Sequence, residues 1–397
     1  MTAPEGHDQG RYDVPWCLND LHIEWRRSVR EFVAREIAPG ARERGAAGGT
    51  DERLLGTMGA LGIYGLLVPE AYGGSDADVT SLCIAVEALA EHDSSLAVTA
   101  HVQAISAALF HHLANDVQRK EHLESYASGE SFLAFGLTEP SGGSDAGNIA
   151  TRAVRDGDDW LISGAKQFIT NSGWKRSSAV ALFAATGEGG RPGRPAVSSF
   201  LVPLAAKGVN VAPAYDKLGW RGSDTHPLFF DEVRVPGDAL LGEEGRAYRE
   251  ALAFLTWARL PIAAMSVGLA QACLDASLHF VKGRDSFQQP LGSHQGVAFT
   301  VADIAAMTAT ARVMTYDAAW KYDRGLPIER EAATCKLVAS ELANKVAYKA
   351  TGLHGGYGFI EESDVVRHYR DARILTIGEG TSEVQRLLIA RRLGLPC

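Results

Sequence analysis

The sequence predicts an α+β protein, mostly α, in which an N-terminal helical domain and a C-terminal four-helix bundle flank a middle antiparallel β-barrel domain. Apolar residues recur at helical spacing in the first part of the chain, short β-type runs separated by glycine and proline follow, and long helical patterns then return. A chain of 397 residues exceeds one compact core, so several domains are expected. We predict that they cover residues 1–132, 133–241 and 242–397.

The first helix is predicted to start at Asp20, where apolar side chains begin to recur near every 3.6 residues, and to stop before Pro39. His101, His111 and His112 lie in the helical patterns that follow, and no neighbouring residues offer partners for a metal site. We therefore expect ordinary core or surface histidines. The later predicted helices of this part are Asp51–Leu61, Val79–Glu91, Ser95–Leu113 and Asp116–Ser128.

The character of the chain changes near Phe132. Two β-type runs flank Asp156–Asp159, whose Asp-Gly-Asp-Asp sequence is a strand–turn–strand signal. Gly and Pro clusters such as Gly187–Pro195 separate the later runs, a pattern typical of a small antiparallel barrel or sandwich. The predicted strands are Arg152–Arg155, Trp160–Ser163, Ala179–Phe183, Ser198–Val202, Val209–Ala212 and Leu228–Val235.

Long helical patterns return after Gly242. They run over about Arg246–Arg284, Gly296–Arg324 and Ile328–Leu353, and each is longer than a usual globular helix. Their length and their Gly or basic ends predict an antiparallel bundle. A last helix is predicted to start with Ser382–Gln385, which has the spacing of a capping box.

The composition is that of an ordinary globular protein, 46% hydrophobic and 22% charged. A net charge of −9, with no basic stripe of interleaved aromatics, argues against nucleic acid as the main partner. The five cysteines are odd in number and never form a C-x-x-C pair, so we expect reduced thiols, no disulfide framework and no metal site. The first twenty residues include Glu5 and Asp8 and no apolar block. We expect a cytoplasmic protein with no targeting segment and no membrane span.

The stretch Arg367–Arg386 carries the clearest chemical signal. It begins with three arginines at helical spacing, passes through an apolar patch and reaches Glu379, which lies between Gly378 and Gly380. A carboxylate beside apolar walls is poorly hydrated, which suits a base, and flanking glycines let a flat or thin ligand approach the backbone. An isolated Glu-Gly-Thr would more often be a solvated turn, so this signal depends on other motifs.

Two further stretches are rich in glycine, hydroxyl and amide groups. Gly136–Asp145 opens the β block, and its backbone N–H groups can approach a ligand closely. Lys166–Gly173 follows, with an aromatic residue, a hydroxyl and an amide in succession. The sequence contains no G-x-G-x-x-G, Walker A or G-x-S-x-G motif, so the dinucleotide-binding Rossmann, P-loop and hydrolase classes find no support.

Together these stretches closely resemble the acyl-CoA dehydrogenase family, and the resemblance covers nearly the whole chain. It implies the same three-domain order as the hydrophobic patterns. The motifs that carry it are Pro69–Gly74, Leu137–Pro140 with Gly143–Asp145, Phe168–Asn171, Lys217–Ser223, Val233–Pro236, Leu241-Gly242, Arg284 to Gln295, His354–Gly358 and Arg370 to Gln385.

The resemblance implies that FAD is the cofactor and that its ring side is held by the β domain. Phe168 would pack on the isoalloxazine and Thr170 would lie near flavin N5. The loop before them would hold the pyrimidine side and part of the substrate thioester. The implied positions are Phe135, Leu137, Thr138, Gly143, Ser144, Phe168 and Thr170.

A second implied set reaches the pyrophosphate and adenine of a neighbouring subunit's FAD, and a third closes over the cofactor's phosphate side. The second set comprises Arg284, Ser286, Phe287, His294, Gln295 and Gly356, and the third Gly380, Thr381 and Gln385. The implied substrate contacts are Ser144, Arg259, Gly378 and Glu379.

Glu379 matches the family's catalytic base. Some relatives carry that base instead just before the arginine that matches Arg259, but here that position is Ala258, so no carboxylate competes. The implied reaction is α,β-dehydrogenation of an acyl-CoA to the trans-2-enoyl thioester. Glu379 would take the α-proton, its N–H and a ribityl hydroxyl of FAD would hold the thioester carbonyl, and the β-hydrogen would leave as hydride to flavin N5. Electrons would pass to an electron-transfer flavoprotein.

Four positions depart from the family pattern. Gly378 replaces a common aromatic residue, which favours a branched or bulky short-to-medium acyl chain unless Trp257 or Trp220 refills the pocket. Gly352 stands where many relatives have a glutamine that touches the neighbour's FAD. Asp76 and Gln288 each replace a common glycine, and the sequence gives no functional account of either.

Several rival functions remain open at this point. An acyl-CoA oxidase would pass electrons to oxygen, and a dehydrogenase could act on an acyl group bound to a carrier protein. A flavin monooxygenase of the same fold would not need Glu379. A non-catalytic subunit of a heteromeric flavoprotein is a fourth possibility. The resemblance also suggests a homotetramer, a dimer of dimers, because composite FAD sites require at least a dimer.

Overall fold

The computed structural model describes residues 15–189 and 193–396 of the chain. The acidic N-terminal residues Glu5 and Asp8, on which the absence of a targeting segment was argued, lie outside these ranges, as does Cys397. The four described cysteines are buried free thiols. Helices come first, strands follow and helices return, so the predicted fold class is confirmed.

From residue 15 on, the described N-terminal part contains six α-helices. The pattern predicted as one helix up to Pro39 is α-helical only to Phe32 and continues as a π-helical segment, Val33–Ile37. Asn19 caps the first helix by accepting a hydrogen bond from the His22 N–H. The helices are α1 (Asp20–Phe32), α2 (Ala41–Ala47), α3 (Glu52–Ala60), α4 (Val79–Ala90), α5 (Ser94–Leu113) and α6 (Asp116–Ser128).

The middle part is a mixed eight-stranded sheet. Its strand order is β6-β7-β3-β2-β4-β5-β8, with β1 paired to β4 beside this path. The strands are β1 (Phe132–Gly136), β2 (Arg152–Asp156), β3 (Asp159–Thr170), β4 (Ser177–Glu188), β5 (Pro195–Pro203), β6 (Val209–Val211), β7 (Thr225–Pro236) and β8 (Leu240–Leu241).

Two features of this sheet differ from the predicted antiparallel barrel. The barrel is not closed, because the terminal strands β6 and β8 have only three and two residues and offer few groups for a closing ladder. β1 runs parallel to β4, and β2 meets β4 in parallel through Arg152 and Ala185. β1 was not predicted as a strand, because four of its five residues are buried and show no alternation.

The C-terminal part is the predicted bundle. Helices α7, α8 and α9 pack on one another, and α10 packs against α7 and α9 as the fourth helix. A short hairpin of β9 (Asp285–Ser286) and β10 (Gln289–Pro290) joins α7 to α8. The helices are α7 (Ala247–Gly283), α8 (Gln295–Asp323), α9 (Glu329–His354), α10 (Asp364–Leu375) and α11 (Ser382–Arg392).

The two helical parts share one hydrophobic core. Helix α4 lies so close to α7 that a Cβ added to Gly268 would come within 3.0 Å of the Glu87 carbonyl oxygen. A buried ion pair also joins α4 to α8, because Arg312 Nε donates to Glu87 Oε1 at 2.9 Å. Arg312 further donates to Gln271 Oε1 of α7 at 2.8 Å. These contacts fix α5, which follows α4, against the bundle.

Two helices, α7 and α8, are long and apolar enough to cross a membrane by length and composition alone. In the most apolar stretch of α7, 72% of the residues are buried inside the protein, as expected of a core helix. In the most apolar stretch of α8 only 28% are buried, so α8 presents apolar side chains at the surface of the bundle. Phe299 is one of them.

Candidate active site

Glu379 lies on the turn between α10 and α11 and adopts a left-handed backbone conformation, with φ of +54°. Gly380 follows with φ of +88°. Thr381, not Ser382, caps α11 by accepting a hydrogen bond from the Val384 N–H at 3.3 Å. The capping box predicted from Ser382 is therefore wrong, because the helix starts one residue earlier than the pattern indicated.

Two buried side chains hold this turn by donating hydrogen bonds to its backbone carbonyls. The Gln385 amide donates to the carbonyl oxygens of Glu379 and Gly380, at 3.2 and 2.9 Å. Lys336 Nζ of α9 donates to the Gly380 carbonyl at 2.7 Å. A Cβ on Gly380 would lie 2.7 Å from the Gln385 amide nitrogen and would be strained at the φ of +88°, so glycine is favoured there.

The Glu379 side chain, 19% exposed, lies among three buried basic side chains from three helices. His101 of α5 places Nε2 3.9 Å from Glu379 Oε1. Burial lowers the pKa of Lys336 to about 8, and the negative charge of Glu379 opposes that shift. Burial likewise lowers the pKa of Arg259, again opposed by Glu379. The carboxylate is thus the negative centre of a basic, poorly hydrated region.

Space is open beside Gly378. A Cβ at this position would meet only the Ile374 carbonyl oxygen, 3.8 Å away. Neither Trp257 nor Trp220 comes within 4 Å of that point, so neither ring contacts a Cβ at this position. Trp257 instead packs on Phe254, with ring centroids 4.5 Å apart.

A buried ion pair fixes the glycine-rich loop that follows β1. Lys166 Nζ of β3 donates to Glu139 Oε1 at 2.7 Å and to the Leu137 carbonyl at 3.2 Å. The Glu139 carboxylate also accepts the N–H groups of Ala150 and Thr151. Because this loop is tied to β3, its position depends on the strand that carries Phe168.

The predicted ring-side residues are spread along this loop and the end of β3. The Leu137 side chain is buried in the core, so only its backbone can face a ligand. Thr138 is partly buried and Ser144 exposed, while Phe168 exposes 61% of its surface and adopts φ of +59°. Phe135, Gly143 and Thr170 complete the set, and they are partly buried, exposed and partly buried respectively.

The end of β3 also contacts α5 close to His101. Asn171 follows Thr170, and its side-chain amide donates to the Thr99 carbonyl at 3.0 Å. Thr99 precedes His101 by two residues on the same helix. The end of β3 and the Glu379 turn therefore meet at the same section of α5.

The second predicted set lies at the other end of α7. Arg284 caps the helix C-terminus and lies over the rings of Phe280 and Tyr357, 5.7 and 5.6 Å from their centroids. His294 Nε2 lies 3.0 Å from the Ser286 carbonyl. Phe287 in the hairpin is 89% exposed, and the exposed Gln295 and Gly356 lie at the start of α8 and just after α9.

These two sets lie far apart within one chain. Arg259 and Arg284 are 284 − 259 = 25 positions apart along α7, which corresponds to roughly 37 Å at 1.5 Å per residue. Side chains cannot span this distance, so Arg259 and Arg284 of one subunit do not meet. The structure places Arg259 near Glu379, ties the end of β3 to α5 two residues before His101, and leaves the hairpin set apart.

Sequence analysis missed two residues of the Glu379 region. His101 was expected to be an ordinary helix histidine, and Lys336 was not singled out. The residues next to His101 and Lys336 in their helices are apolar, so periodicity assigns both only to a core face. A polar residue within a helix face that is predicted to be buried is the one signal that would have marked them.

Comparison with known proteins identifies both the class and the family of this protein. The chain matches the acyl-CoA dehydrogenase N-terminal domain at residues 19–130, the middle domain at 134–233 and the C-terminal domain at 246–394. It is 40% identical over 369 residues to a probable acyl-CoA dehydrogenase, YngJ, of Bacillus subtilis. The matched region covers 93% of this chain and 96% of that protein. The chain belongs to the acyl-CoA dehydrogenase family, and it is an oxidoreductase.

Solved structures agree with this assignment. Butyryl-CoA dehydrogenase from Megasphaera elsdenii superposes with a TM-score of 0.90 at 33% identity, covering 96% of this chain and 99% of that one. A glutaryl-CoA dehydrogenase from Mycobacterium smegmatis, solved in complex with FADH2, gives 0.90 at 27% identity and covers 96% of each chain. Acyl-CoA dehydrogenases are FAD-dependent enzymes.

The residues of this chain fit FAD. Phe168 offers an exposed flat ring near Thr170, at the C-terminal end of β3. The turn at Gly380 leads into the N-terminus of α11, where the positive end of the helix dipole favours an anion such as a phosphate. Gln385 Oε1 is buried and has no hydrogen-bond partner among residues 15–189 and 193–396, so a polar acceptor site remains beside this turn.

Proposed function

We propose that this protein catalyses the FAD-dependent α,β-dehydrogenation of an acyl-CoA thioester, with Glu379 as the base. The observation that carries the proposal is the position of the Glu379 carboxylate. It lies partly buried on a glycine-flanked turn, beside three buried basic side chains. It is also next to the section of α5 that the β domain contacts. Ala258 is fully buried and offers no second carboxylate.

The chain's own part in the reaction is proton transfer and orientation. Glu379 takes the α-proton of the thioester, and the surrounding low-dielectric region strengthens each hydrogen bond to the charge that develops on the substrate. The Glu379 backbone N–H donates to no other backbone group in the part of the chain that the structure describes, which leaves it for the thioester carbonyl. FAD, when bound, accepts the hydride that leaves the β-carbon.

The cofactor would be held by residues from two subunits. In one subunit Phe168 and Thr170 would contact the ring, while Thr138 and Ser144 would contact its pyrimidine side. The α11 N-terminus, with Thr381 and Gln385, would face the phosphates. Arg284, Ser286, Phe287, His294, Gln295 and Gly356 would come from the neighbouring subunit.

This composite site requires an oligomer, and we propose a homotetramer arranged as a dimer of dimers. The separation of roughly 37 Å along α7 supports a composite site. Exposed aromatic side chains at the hairpin end of α7, namely Phe287, Tyr357 and Phe359, give such an interface its apolar surface.

The acyl group we propose is short or medium in length and branched or bulky. The space at Gly378 supports this, because no described side chain lies within 4 Å of a Cβ placed there. The related enzymes named for butyryl-CoA and glutaryl-CoA act on short acyl groups, which fits the lower end of that range. Electrons would pass to an electron-transfer flavoprotein, and the enzyme would work in the cytoplasm.

Anaerobic titration of the purified protein with straight and branched acyl-CoAs tests the proposal. Bleaching of the flavin absorbance by one class is the expected result, and it identifies the acyl type in the same experiment. Oxygen consumption during turnover then separates an oxidase from a dehydrogenase. If FAD is bound and no acyl-CoA bleaches it, the proposal of acyl-CoA as substrate is wrong.

A further inference from the structure

His101 is a buried polar side chain that the fold leaves without a partner. It lies in the middle of α5 and exposes 1% of its surface. Neither ring nitrogen has a hydrogen-bond partner within residues 15–189 and 193–396. Burying a polar group without a hydrogen bond costs free energy, so an unpartnered imidazole in the core calls for a partner in the working enzyme.

The nearest acidic group is the Glu379 carboxylate, whose Oε1 lies 3.9 Å from His101 Nε2. A hydrogen bond between these atoms requires a separation of about 2.9 Å, so the carboxylate needs to move by only about 1 Å. Glu379 can make that movement. It lies between two glycines, and its neighbour Gly378 contributes no side chain that would restrain it.

The other charged groups that face Glu379 are already engaged or differently placed. Lys336 of α9 donates to the Gly380 backbone carbonyl rather than to the carboxylate. Arg259 of α7 acts on Glu379 through its charge, and no hydrogen bond joins the two side chains among the described residues. His101, on α5, is therefore the donor that can fix the direction of the carboxylate itself.

We propose that His101 is a positioning residue for Glu379: its Nε2–H donates to the carboxylate and holds it against the α-carbon of the substrate. This inference rests on the proposed function. In the step it serves, the substrate C–H bond breaks, its electron pair stays on the substrate, and the proton forms an O–H bond on Glu379. No proton leaves His101, whose N–H remains on the other carboxyl oxygen.

Two variants separate positioning from packing. His101→Phe keeps a ring of similar size and removes the donor, whereas His101→Gln keeps an N–H at a similar reach. Because a misplacement of about 1 Å can cost on the order of 100-fold in rate, His101→Phe should slow flavin reduction by roughly 10- to 100-fold. The dissociation constant for acyl-CoA and the FAD content should stay near wild type. His101→Gln should recover the rate to within about tenfold of wild type.

A second measurement needs no turnover. In protein labelled with ¹⁵N-histidine, the His101 ring signals are assigned by their loss in His101→Gln, and their shifts are compared with those in Glu379→Gln. The inference expects the ring signals to move when the carboxylate is replaced by an amide. Unchanged His101 signals would overturn it, and so would wild-type flavin reduction by His101→Phe.

Weaker acyl-CoA binding by His101→Phe at an unchanged rate would also overturn positioning, because His101 would then contact the substrate. The proposed function fails separately. If wild-type flavin is not reduced by any acyl-CoA, the reaction is wrong, whereas the ¹⁵N shifts still report whether His101 and Glu379 interact.

Discussion

Glu379 lies on its turn in a left-handed backbone conformation that residues other than glycine seldom adopt. Its φ is +54°, four residues after the helix that ends at Leu375. Residues held in the left-handed region cost free energy and concentrate at functional sites. Phe168 and Asn171, which flank Thr170 on the cofactor side, share this conformation.

The same backbone property accounts for two departures that the sequence left unexplained. Asp76 and Gln288, which stand where related proteins commonly have glycine, adopt φ values of +47° and +66°. Glycine is favoured at such positions because it lacks a Cβ, and Asp tolerates them better than most residues. The family's glycines therefore reflect backbone shape at these two turns.

Replacing Glu379 by Gln tests the base directly. The amide keeps the size of the side chain and the turn but cannot accept the α-proton. FAD content should be unchanged, and flavin reduction by an acyl-CoA should fall by roughly 10²- to 10⁴-fold. Stopped-flow absorbance measures the rate. Glu383→Gln, an exposed position on α11, is the matched control, and full turnover by Glu379→Gln would refute the assignment.

Filling the space beside Gly378 tests the proposed acyl preference. Gly378→Phe should add a ring that starts from a Cβ with no side chain within 4 Å. The kcat/KM for a branched acyl-CoA should fall by about 10- to 200-fold, and less for a straight short chain. Gly378→Ala serves as control and should resemble wild type. Equal losses for both substrate types would show that this space does not select the acyl group.

At the scale of elements, the close contact between α4 and α7 positions the helix that brings His101 to the site. Helix α5 follows α4 directly and brings His101 to Glu379, so α4 must stay close to the bundle. Gly268 permits that approach, because its missing Cβ leaves room for the Glu87 carbonyl. The Glu87–Arg312 pair then ties α4 to α8 in the same layer.

Gly268→Ala should weaken this packing. A methyl group there collides with backbone, which cannot rotate away, so we expect a loss of about 1–3 kcal/mol in the free energy of unfolding. Chemical denaturation measures it. Gly283→Ala, in the last turn of the same helix, has no atom within 4 Å of its Cβ and should leave stability unchanged or slightly raised. Equal effects of both variants would contradict the close approach.

At the scale of the whole molecule, one chain separates its functional residues between the two ends of α7. Helix α7 is 37 residues long, which corresponds to roughly 55 Å. The Glu379 region lies along its first half and the Arg284 hairpin at its C-terminal end. A second copy of the chain that brings its hairpin to the pyrophosphate and adenine end of this chain's FAD site would complete the proposed cofactor site in each.

Phe287→Asp tests this assembly. The side chain is 89% exposed in the hairpin, so the variant should fold normally while a charge disrupts an apolar interface. We expect a smaller mass by light scattering together with a lower FAD-to-protein ratio. Val117→Asp, at an exposed position on α6, controls for added surface charge. Unchanged mass and FAD content would exclude the hairpin from the interface.

The sequence by itself determined the order of helices and strands, the long bundle helices and the turn that carries Glu379. Those features depend on local periodicity and on residues adjacent in the chain. It did not determine β1, which is buried on both faces, or the parallel pairing of β1 with β4, because strand partners are chosen by packing.

Only the tertiary structure decided which distant residues meet. His101 and Lys336 look like core positions of their own helices, and their relation to Glu379 exists only because α5 and α9 pack around one turn. The open space at Gly378 likewise depends on where Trp257 and Trp220 pack. A pattern along the chain records which face of an element is buried, whereas the partner of a buried polar group is set by elements far away in sequence.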